Sequence, residues 1–219
     1  MSLTTEVVDD PTHLARRAAE FVAARARARV AESGRFTFAV SGGKTPWAMF
    51  AELANEEVPW DDVVIYQVDE RIAPDGDPDR NLTHLLAALP EGVRVYAMPV
   101  TADDPIASAG SYAADLPSQL DLVHLGLGPD GHTASLVPGD PVLEVTDAAV
   151  GVTLPYMGHR RMTLTFPAID AAREVVWLIS GADKVDALQR LVQHDVSIPA
   201  ARVATAEQVL FVDEAARGT

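Results

Sequence analysis

Short apolar runs typical of buried strands alternate with helix patterns along most of this chain, and this alternation constrains its fold more than any other feature. The runs with strand character are Phe36–Val40, Val63–Val68, Val93–Tyr96, Asp121–Leu125, Val175–Ile179 and Val209–Val212. Helices are predicted at 12–32, from Pro46 to about Asn55, at 80–89, at 105–119 and after Ala182. Strands alternating with helices favour an α/β fold with a mostly parallel sheet flanked by helices. An additional β-rich segment follows in the second half, at Ala148–Leu154 and Arg161–Phe166.

The composition indicates one domain spanning residues 1–219. A chain of 219 residues with 48% hydrophobic residues can bury one substantial core but is short for two. No stretch reaches the roughly 18 uninterrupted apolar residues of a membrane span. The first ten residues carry acid where a signal peptide carries base, and there is no cysteine for a disulfide framework. We therefore expect a cytoplasmic protein.

The net charge of −15 argues against nucleic acids and anionic membrane surfaces as partners. It also opposes a small anionic ligand, so a site for one needs locally concentrated cations. The chain has only two lysines, Lys44 and Lys184, and both follow strands beside a Ser-Gly pair. Their similar contexts favour a role at a common site. The arginines of the first predicted helix, in contrast, are expected to form a solvated face.

Four polar connections follow strands and can converge on one rim. They are Ser41–Pro46, Asp69–Arg71, Gly126–His132 and Ser180–Lys184. Parallel α/β sheets bind ligands at the carboxyl ends of their strands. The sequence therefore predicts a small-molecule site at this edge of the sheet, with Arg71, Arg160, Arg161 and Lys184 as candidate anion-binding side chains.

The loop from Gly126 to Pro138 contains the best candidate for catalysis. Asp130 lies two residues before His132, and a carboxylate at that spacing can orient and charge-stabilise an imidazole for proton transfer. The loop also matches the dinucleotide-binding pattern G-x-G-x-x-G, but Asp130 would repel a pyrophosphate and Pro138 prevents the required helix. We expect His132 to be functional and a dinucleotide to be excluded.

Gly42 and Gly43 open a predicted helix, and with its first amides they can form a cradle for an anion or a developing oxyanion. The segment is not a nucleotide P-loop, because Phe38 stands where that motif needs glycine. Ser41 and Ser135 lack the strained elbow of a serine nucleophile and are expected to form hydrogen bonds. His124 lies within a strand and is expected to be a core or edge residue.

Taken together, these motifs closely resemble the 6-phosphogluconolactonases, within the wider group that includes the glucosamine-6-phosphate deaminases. The resemblance spans about Asp10 to Asp213. It rests on five ordered segments: Ser41-Gly-Gly-x-Thr-Pro46, Asp69-Glu-Arg71 with Asn81, Leu125–Leu136, Arg161-x-Thr-Leu-Thr165 and Ser180-Gly-x-x-Lys184.

The resemblance implies a Rossmann-like fold and hydrolysis of 6-phospho-D-glucono-1,5-lactone in the pentose phosphate pathway. It implies His132 as general base beside Asp130, with phosphate held by Arg71 and Lys184 and, less directly, by Arg161. The remaining motif residues are expected to bind substrate: Ser41, Gly42, Gly43, Thr45, Asp69, Asn81 and Gly128. No cofactor and no metal are expected, and the partner is a small sugar-phosphate lactone bound by a monomer or weak homo-oligomer. Backbone amides of Gly42 and Gly43, or their neighbours, are expected to stabilise the oxyanion.

Val137 separates the two branches of that group. The deaminases resemble this loop but place a glutamate five residues after the histidine, where this chain has Val137. The sequence therefore favours a lactonase over a deaminase. A non-catalytic sugar-phosphate sensor remains a second alternative, although Asp130 and His132 are both present. One departure from the lactonase pattern, Arg80 where serine is usual, affects only local substrate contacts.

Overall fold

A seven-stranded sheet lies at the centre of the structure, a computed structural model that describes residues 2–218. The strands are β1 (Ser2–Val8), β2 (Phe36–Val40), β3 (Val63–Gln67), β4 (Asp69–Arg71), β5 (Arg94–Tyr96), β6 (Leu122–Leu125), β7 (Val150–Val152), β8 (Arg161–Leu164), β9 (Glu174–Ile179) and β10 (Glu207–Asp213). The helices are α1 (Pro11–Ser33), α2 (Lys44–Leu53), α3 (Asn81–Ala88), α4 (Pro105–Asp115), α5 (Phe166–Asp170), α6 (Val185–Val192) and α7 (Glu214–Arg217). The central sheet has the order β1-β10-β9-β6-β2-β3-β5, and all its pairs are parallel.

The central strands are buried on both faces, as their continuous apolar runs predict. Every residue of β2 and β3 is buried. One face packs a core around Trp177 and Leu125, and the other packs a core around Phe38 and Phe50 under α1 and α2. The prediction of an α/β fold with a mostly parallel sheet is confirmed.

Helix α1 begins and ends where its sequence signals place the boundaries. The Asp10 side chain accepts hydrogen bonds from the amides of Thr12 and His13, and Gly34 adopts a left-handed conformation (φ 75°) at the other end. Arginines of this helix form surface ion pairs, including Arg25 with Glu174 at 2.6 Å. The helix arginines therefore form the expected solvated face.

A second, three-stranded antiparallel sheet has the order β4-β8-β7. It is built from the additional β-rich segment together with Asp69–Arg71, which the sequence pattern presents only as a connection. The register pairs Arg71 with Arg161 and Asp69 with Thr163. The small sheet therefore brings residues that are far apart in sequence to one wall of the site.

The carboxyl ends of β2, β6 and β9 border a crevice where the chain changes direction. From β2 the chain runs through α2 to β3, whereas from β9 it runs through α6 to β10 on the opposite side of β6. Crevices at such switch points are the usual ligand sites of open parallel sheets. Three of the four polar connections identified in the sequence leave these strands here, and the fourth, Asp69–Arg71, follows β3.

Within residues 2–218, no helix is both long and apolar enough to cross a membrane. The same described residues contain no group of three or more His, Asp or Glu side chains arranged to hold a metal ion.

Candidate active site

A cavity of about 260 Å³ opens at the carboxyl edge of the central sheet. All four of the polar connections contribute to its walls. Apart from Asp130 and Arg160, the predicted site residues all line it: Ser41, Gly42, Gly43, Thr45, Asp69, Arg71, Asn81, Gly128, His132, Arg161 and Lys184. Lys44 lines it as well, so four basic residues meet at one cavity on a strongly acidic chain.

The loop after β6 folds back on itself to present His132. The amide of Gly128 donates to the carbonyl of His132 at 2.8 Å, and the amide of Gly131 donates to the carbonyl of Gly128 at 2.9 Å. A side chain at position 128 cannot fit, because an added Cβ would lie 2.1 Å from His132 Nδ1. Gly128 therefore allows the imidazole to lie against the backbone.

His132 and Asp130 form a close pair. Nδ1 of His132 lies 2.5 Å from Oδ1 of Asp130, and the His132 amide donates to the same oxygen at 3.1 Å. Although partial burial opposes the shift, the bonds and charge of His132 lower the pKa of Asp130 below its ordinary value. An ionised Asp130 holds the proton of a neutral imidazole on Nδ1, which leaves the Nε2 lone pair to accept a proton. Asp130 lies behind the imidazole and does not line the cavity.

Tyr156 completes this cluster, and the sequence analysis did not identify it. Its hydroxyl lies 3.3 Å from Oδ2 of Asp130, its ring meets His132 edge-on at 5.7 Å, and the guanidinium of Arg161 lies 5.0 Å from the ring centre. Burial and the neighbouring Asp130 raise the pKa of Tyr156, so the hydroxyl keeps its proton and can donate it to the carboxylate. Its Pro-Tyr context carries no signal of its own, and only the fold brings it to Asp130.

Asp69 is a buried carboxyl group in the cavity wall. Ser135 donates to its Oδ2 at 2.6 Å, and Asn81 Nδ2 donates to its backbone oxygen at 3.0 Å. Burial raises the pKa of Asp69, while the Ser135 bond and the charges of Arg71 and Arg161 act in the opposite direction. Ser135 therefore acts as a hydrogen-bond donor, as expected for a serine outside a nucleophile elbow.

Glu70 organises the same wall from behind. Its side chain is fully buried and accepts hydrogen bonds from the amides of Arg71, Asn81 and Leu82 and from Gln67 Nε2, at 2.7–2.9 Å. Arg80 adds an ion pair, with Nε 3.1 Å from Oε2. The carboxylate thereby caps the first turn of α3 in place of a local residue. Arg80 thus stabilises the wall from within the protein, and it is not one of the residues lining the cavity.

Asn81 contacts both Arg71 and the backbone of Gly42. Arg71 Nη1 donates to Asn81 Oδ1 at 2.6 Å and to the Asp79 carbonyl at 2.7 Å. The Gly42 backbone lies so close to this amide that an added Cβ would be 1.9 Å from Asn81 Oδ1. The contact places the guanidinium of Arg71 beside the Gly42–Gly43 turn.

Helix α2 starts at the cavity with no side-chain cap and no acidic residue in its first turn. Its first amides and dipole therefore favour an anion at this end.

Lys184 reaches the cavity from the segment after β9. Its Nζ lies 2.8 Å from Oδ2 of the adjacent Asp183. The hydrogen bond from Lys184 lowers the pKa of Asp183.

Some sequence-predicted residues do not reach the cavity. Arg160 is exposed, and its Nε donates to the Thr153 carbonyl at 3.3 Å, so of the two adjacent arginines only Arg161 lines the site. Val137 is buried within the loop. His124 is buried in β6, as expected for a core residue, but it also lines the cavity, which its mid-strand position did not indicate.

Comparison with known proteins identifies relatives along almost the whole chain. Residues 9–212 match the family described as glucosamine-6-phosphate isomerases/6-phosphogluconolactonase. A 6-phosphogluconolactonase of Nostoc sp. is 31% identical, and the alignment covers 100% of this chain and 98% of the relative. A 6-phosphogluconolactonase of Rhizobium meliloti is 36% identical over 86% of this chain and 87% of its own.

Solved structures share the same fold. The 6-phosphogluconolactonase of Thermotoga maritima superposes with a TM-score of 0.88 and 25% identity, over 97% of this chain and 100% of that one. A monomeric glucosamine-6-phosphate deaminase superposes almost as well, with a TM-score of 0.87 over 98% of this chain and 99% of that one, at 18% identity. The fold is therefore common to proteins of both names, and only side chains can separate the two activities.

Proposed function

The chain belongs to the glucosamine-6-phosphate isomerase/6-phosphogluconolactonase family and is an enzyme of its lactonase branch; we propose that it hydrolyses 6-phospho-D-glucono-1,5-lactone with His132 as the general base. One observation carries the proposal. The Asp130–His132 pair adjoins a cavity whose other walls present Arg71, Arg161 and Lys184 on a chain of net charge −15. A proton acceptor next to concentrated positive charge suits a reactive ester that bears a phosphate.

The proposed reaction uses the free Nε2 of His132. Nε2 takes a proton from water as the water oxygen bonds to the lactone carbonyl carbon, and Asp130 stabilises the resulting imidazolium. The bond from that carbon to the ring oxygen then breaks, and Nε2 returns the proton to the departing oxygen. The product is the open-chain phosphogluconate, and His132 is again neutral.

The phosphate is proposed to bind where α2 begins. Arg71 lies beside the Gly42–Gly43 turn, and Lys184 lines the same cavity from the segment after β9, with β6 between β9 and β2. We therefore assign the amides that open α2 to the phosphate and not to the oxyanion, because Arg71 lies beside them and Lys184 lines the same cavity. Arg161 adds a buried positive charge to the wall beside Arg71.

The barrier to this reaction is modest. A δ-lactone hydrolyses in water without a catalyst, so the enzyme needs less acceleration than a peptidase. A single general base contributes about 10²–10⁴-fold, and holding the reactants in place contributes further. The proposed mechanism relies on one such base and on cations that hold the substrate, and its steps use no metal ion.

The proposal is tested by measuring lactone hydrolysis above the spontaneous rate. We expect the wild-type chain to accelerate the reaction and His132→Ala to lower kcat by about 10²–10⁴-fold, with a much smaller effect on KM. Near-wild-type turnover of His132→Ala would refute the general-base assignment. A wild-type chain that binds the phosphorylated sugar but does not accelerate hydrolysis would be a sensor.

Deamination of glucosamine-6-phosphate is the alternative within the family. Val137 is apolar and buried at the position where the resembling deaminase loops have a glutamate. We therefore expect no ammonia release from glucosamine-6-phosphate under conditions in which the lactone is hydrolysed. Ammonia release at a comparable rate would replace the lactonase assignment.

A further inference from the structure

His124 is a buried imidazole at the base of the cavity. Its exposure is 1%, and it lies in β6 one residue before the strand ends. Register places it next to Val176 of β9, and the neighbouring Val123 pairs with Ala39 of β2. It therefore lies between the strands that lead to Ser41 on one side and to Ser180 and Lys184 on the other.

The hydrogen bonds of His124 determine which nitrogen carries its proton. The Ser41 amide donates to Nδ1 at 3.3 Å, so Nδ1 is the acceptor and Nε2 carries the hydrogen. Burial lowers the pKa of His124 to about 3, which keeps this neutral tautomer throughout the neutral pH range. The imidazole is thus a fixed N–H donor.

Nε2 of His124 has no hydrogen-bond partner within the described protein. Buried polar groups are almost always paired, because an unpaired one loses its hydrogen bonds to water and gains none in return. Among residues 2–218, three buried side-chain nitrogens have no hydrogen bond: Arg80 Nε, His124 Nε2 and Arg161 Nε. His124 and Arg161 line this cavity. The Arg80 nitrogen is instead close to Glu70.

The surroundings of His124 point to an anionic partner. The uncapped start of α2 follows Ser41, whose amide contacts Nδ1 and not Nε2, and Lys184 lines the same cavity as His124. A neutral donor here has an advantage over another cation, since it can bond an anionic oxygen without placing an additional charge in the sheet core.

We propose that Nε2–H of His124 donates a hydrogen bond to a phosphate oxygen of the bound sugar phosphate, so that His124 is a substrate-binding residue of the phosphate end of the cavity. The inference rests on the proposed lactonase function for the identity of the sugar phosphate. The contact with Nε2 itself requires only a phosphate group. His124 is therefore a residue of the binding site and takes no part in proton transfer.

Three substitutions distinguish the role of the Nε2 donor from that of the Nδ1 acceptor. His124→Gln can keep an N–H donor near the position of Nε2, whereas His124→Asn keeps an acceptor near Nδ1 for the Ser41 amide but loses the donor. His124→Leu fills the space with neither. His13→Leu is the matched control, because His13 lies on the first turn of α1 and does not line the cavity.

The first measurement is calorimetric titration of each folded variant with inorganic phosphate. We expect His124→Asn and His124→Leu to weaken phosphate binding by about 10- to 100-fold, as for a lost hydrogen bond to a charged acceptor. His124→Gln should recover most of that loss, and His13→Leu should match the wild type. Equal phosphate affinity in wild type, His124→Asn and His124→Leu would overturn the proposal, as would a loss in His124→Gln as large as in His124→Asn.

The second measurement compares the phosphorylated lactone with D-glucono-1,5-lactone. For His124→Asn we expect kcat/KM to fall at least tenfold more on the phosphorylated substrate, mainly through KM. An equal fall on both substrates would mean that the imidazole supports the fold or the oxyanion, and would overturn the assignment. Because the phosphate titration does not depend on turnover, a wild type without lactonase activity but with His124-dependent phosphate binding would refute the proposed function alone.

Discussion

Two walls of the cavity differ in how firmly their polar groups are held. In the wall formed by β4 and the start of α3, Glu70 and Asn81 are buried and linked by a continuous set of hydrogen bonds. In the loop after β6, the side chains of His132 and Asp130 are 23% and 40% exposed, and they depend largely on each other and on Tyr156. The two walls form one site but differ in what they contribute to stability.

The difference separates positioning from proton transfer. A residue that must gain and lose a proton needs access to water and substrate, and a fully paired buried group would resist the change in charge. A residue that fixes the direction of Arg71 or Asn81 benefits from burial and full pairing. Substitutions in the first wall should therefore lower the free energy of unfolding, whereas those in the loop should spare the fold and reduce activity.

The sharpest way to break this comparison is Glu70→Ala. It leaves Arg80 and four donors around a buried space without their acceptor, and removing one partner of a buried ion pair costs about 3–5 kcal/mol. We expect the free energy of unfolding, measured with urea, to fall by about that amount. The exposed Glu91 provides the matched control, Glu91→Ala, which should change stability by less than about 0.5 kcal/mol. A small loss for Glu70→Ala would show that the wall is not held as its hydrogen bonds suggest.

Lys184→Ala tests a cation that belongs to neither wall. Its described ion pair is with the exposed Asp183, so we expect little change in thermal stability. Loss of a charged donor to phosphate should raise KM by about 10- to 100-fold and leave kcat nearly unchanged. Arg160→Ala, which removes an exposed cation outside the cavity, should leave KM unchanged. A KM for Lys184→Ala equal to that of wild type would rule out its phosphate contact.

The pH dependence of stability tests the burial of His124. Its pKa is about 3 in the folded chain and about 6.5 when unfolded, so the unfolded state binds the extra proton between these values. Above about pH 6.5 the neutral imidazole makes its full contribution to the free energy of unfolding. As the pH falls below that value the contribution is lost, and the loss is about 2 kcal/mol at pH 5. We expect wild type to lose about that much more than His124→Gln between pH 7 and pH 5 in urea unfolding. Equal losses of unfolding free energy in the two proteins would mean that the imidazole is in contact with water.

The smallest expected effect comes from Tyr156→Phe. The hydroxyl contributes one bond of 3.3 Å to the partly exposed Asp130, while the aromatic ring stays against His132 and Arg161. We expect kcat/KM to fall by about two- to tenfold without a change in melting temperature. Tyr96→Phe, on the edge strand β5, serves as the control and should have no effect on kcat/KM. A loss larger than that of Lys184→Ala would mean that the loop depends on Tyr156 more than its geometry indicates.

Much of the fold follows from local pattern, because apolar runs and helix signals are properties of adjacent residues. The edge strand β1 was not predicted, since Ser2–Val8 mixes polar and apolar residues and is stabilised by its pairing with β10. The pairing of Asp69–Arg71 with β8 was also missed, because it joins segments about 90 residues apart. Such long-range pairs leave no local signal.

The lining of the site could be predicted because parallel strands all end at one edge. Each motif follows a strand, so the sheet itself brings Ser41, Asp69, His132 and Lys184 together. The role of Tyr156 and the contacts of Glu70 with Arg80 and the first turn of α3 could not be predicted, because they depend on which atoms meet after folding. The sequence predicts His124 to be a core or edge residue because it lies within a strand, and the structure places it in the core; its proposed second role depends on one nitrogen without a partner.

The parallel pairing of β1 with β10 has a practical consequence for attaching tags and probes. Ser2 pairs with Glu207 at the amino edge of the sheet, and Val8 pairs with Asp213 at the carboxyl edge. A seven-residue strand spans about 23 Å, so an attachment before Ser2 leaves the molecule at the edge opposite the cavity. Gly218, in contrast, lies against Val185, the residue next to Lys184. An affinity tag or fluorophore is therefore best placed at the amino end, where it stays clear of the substrate.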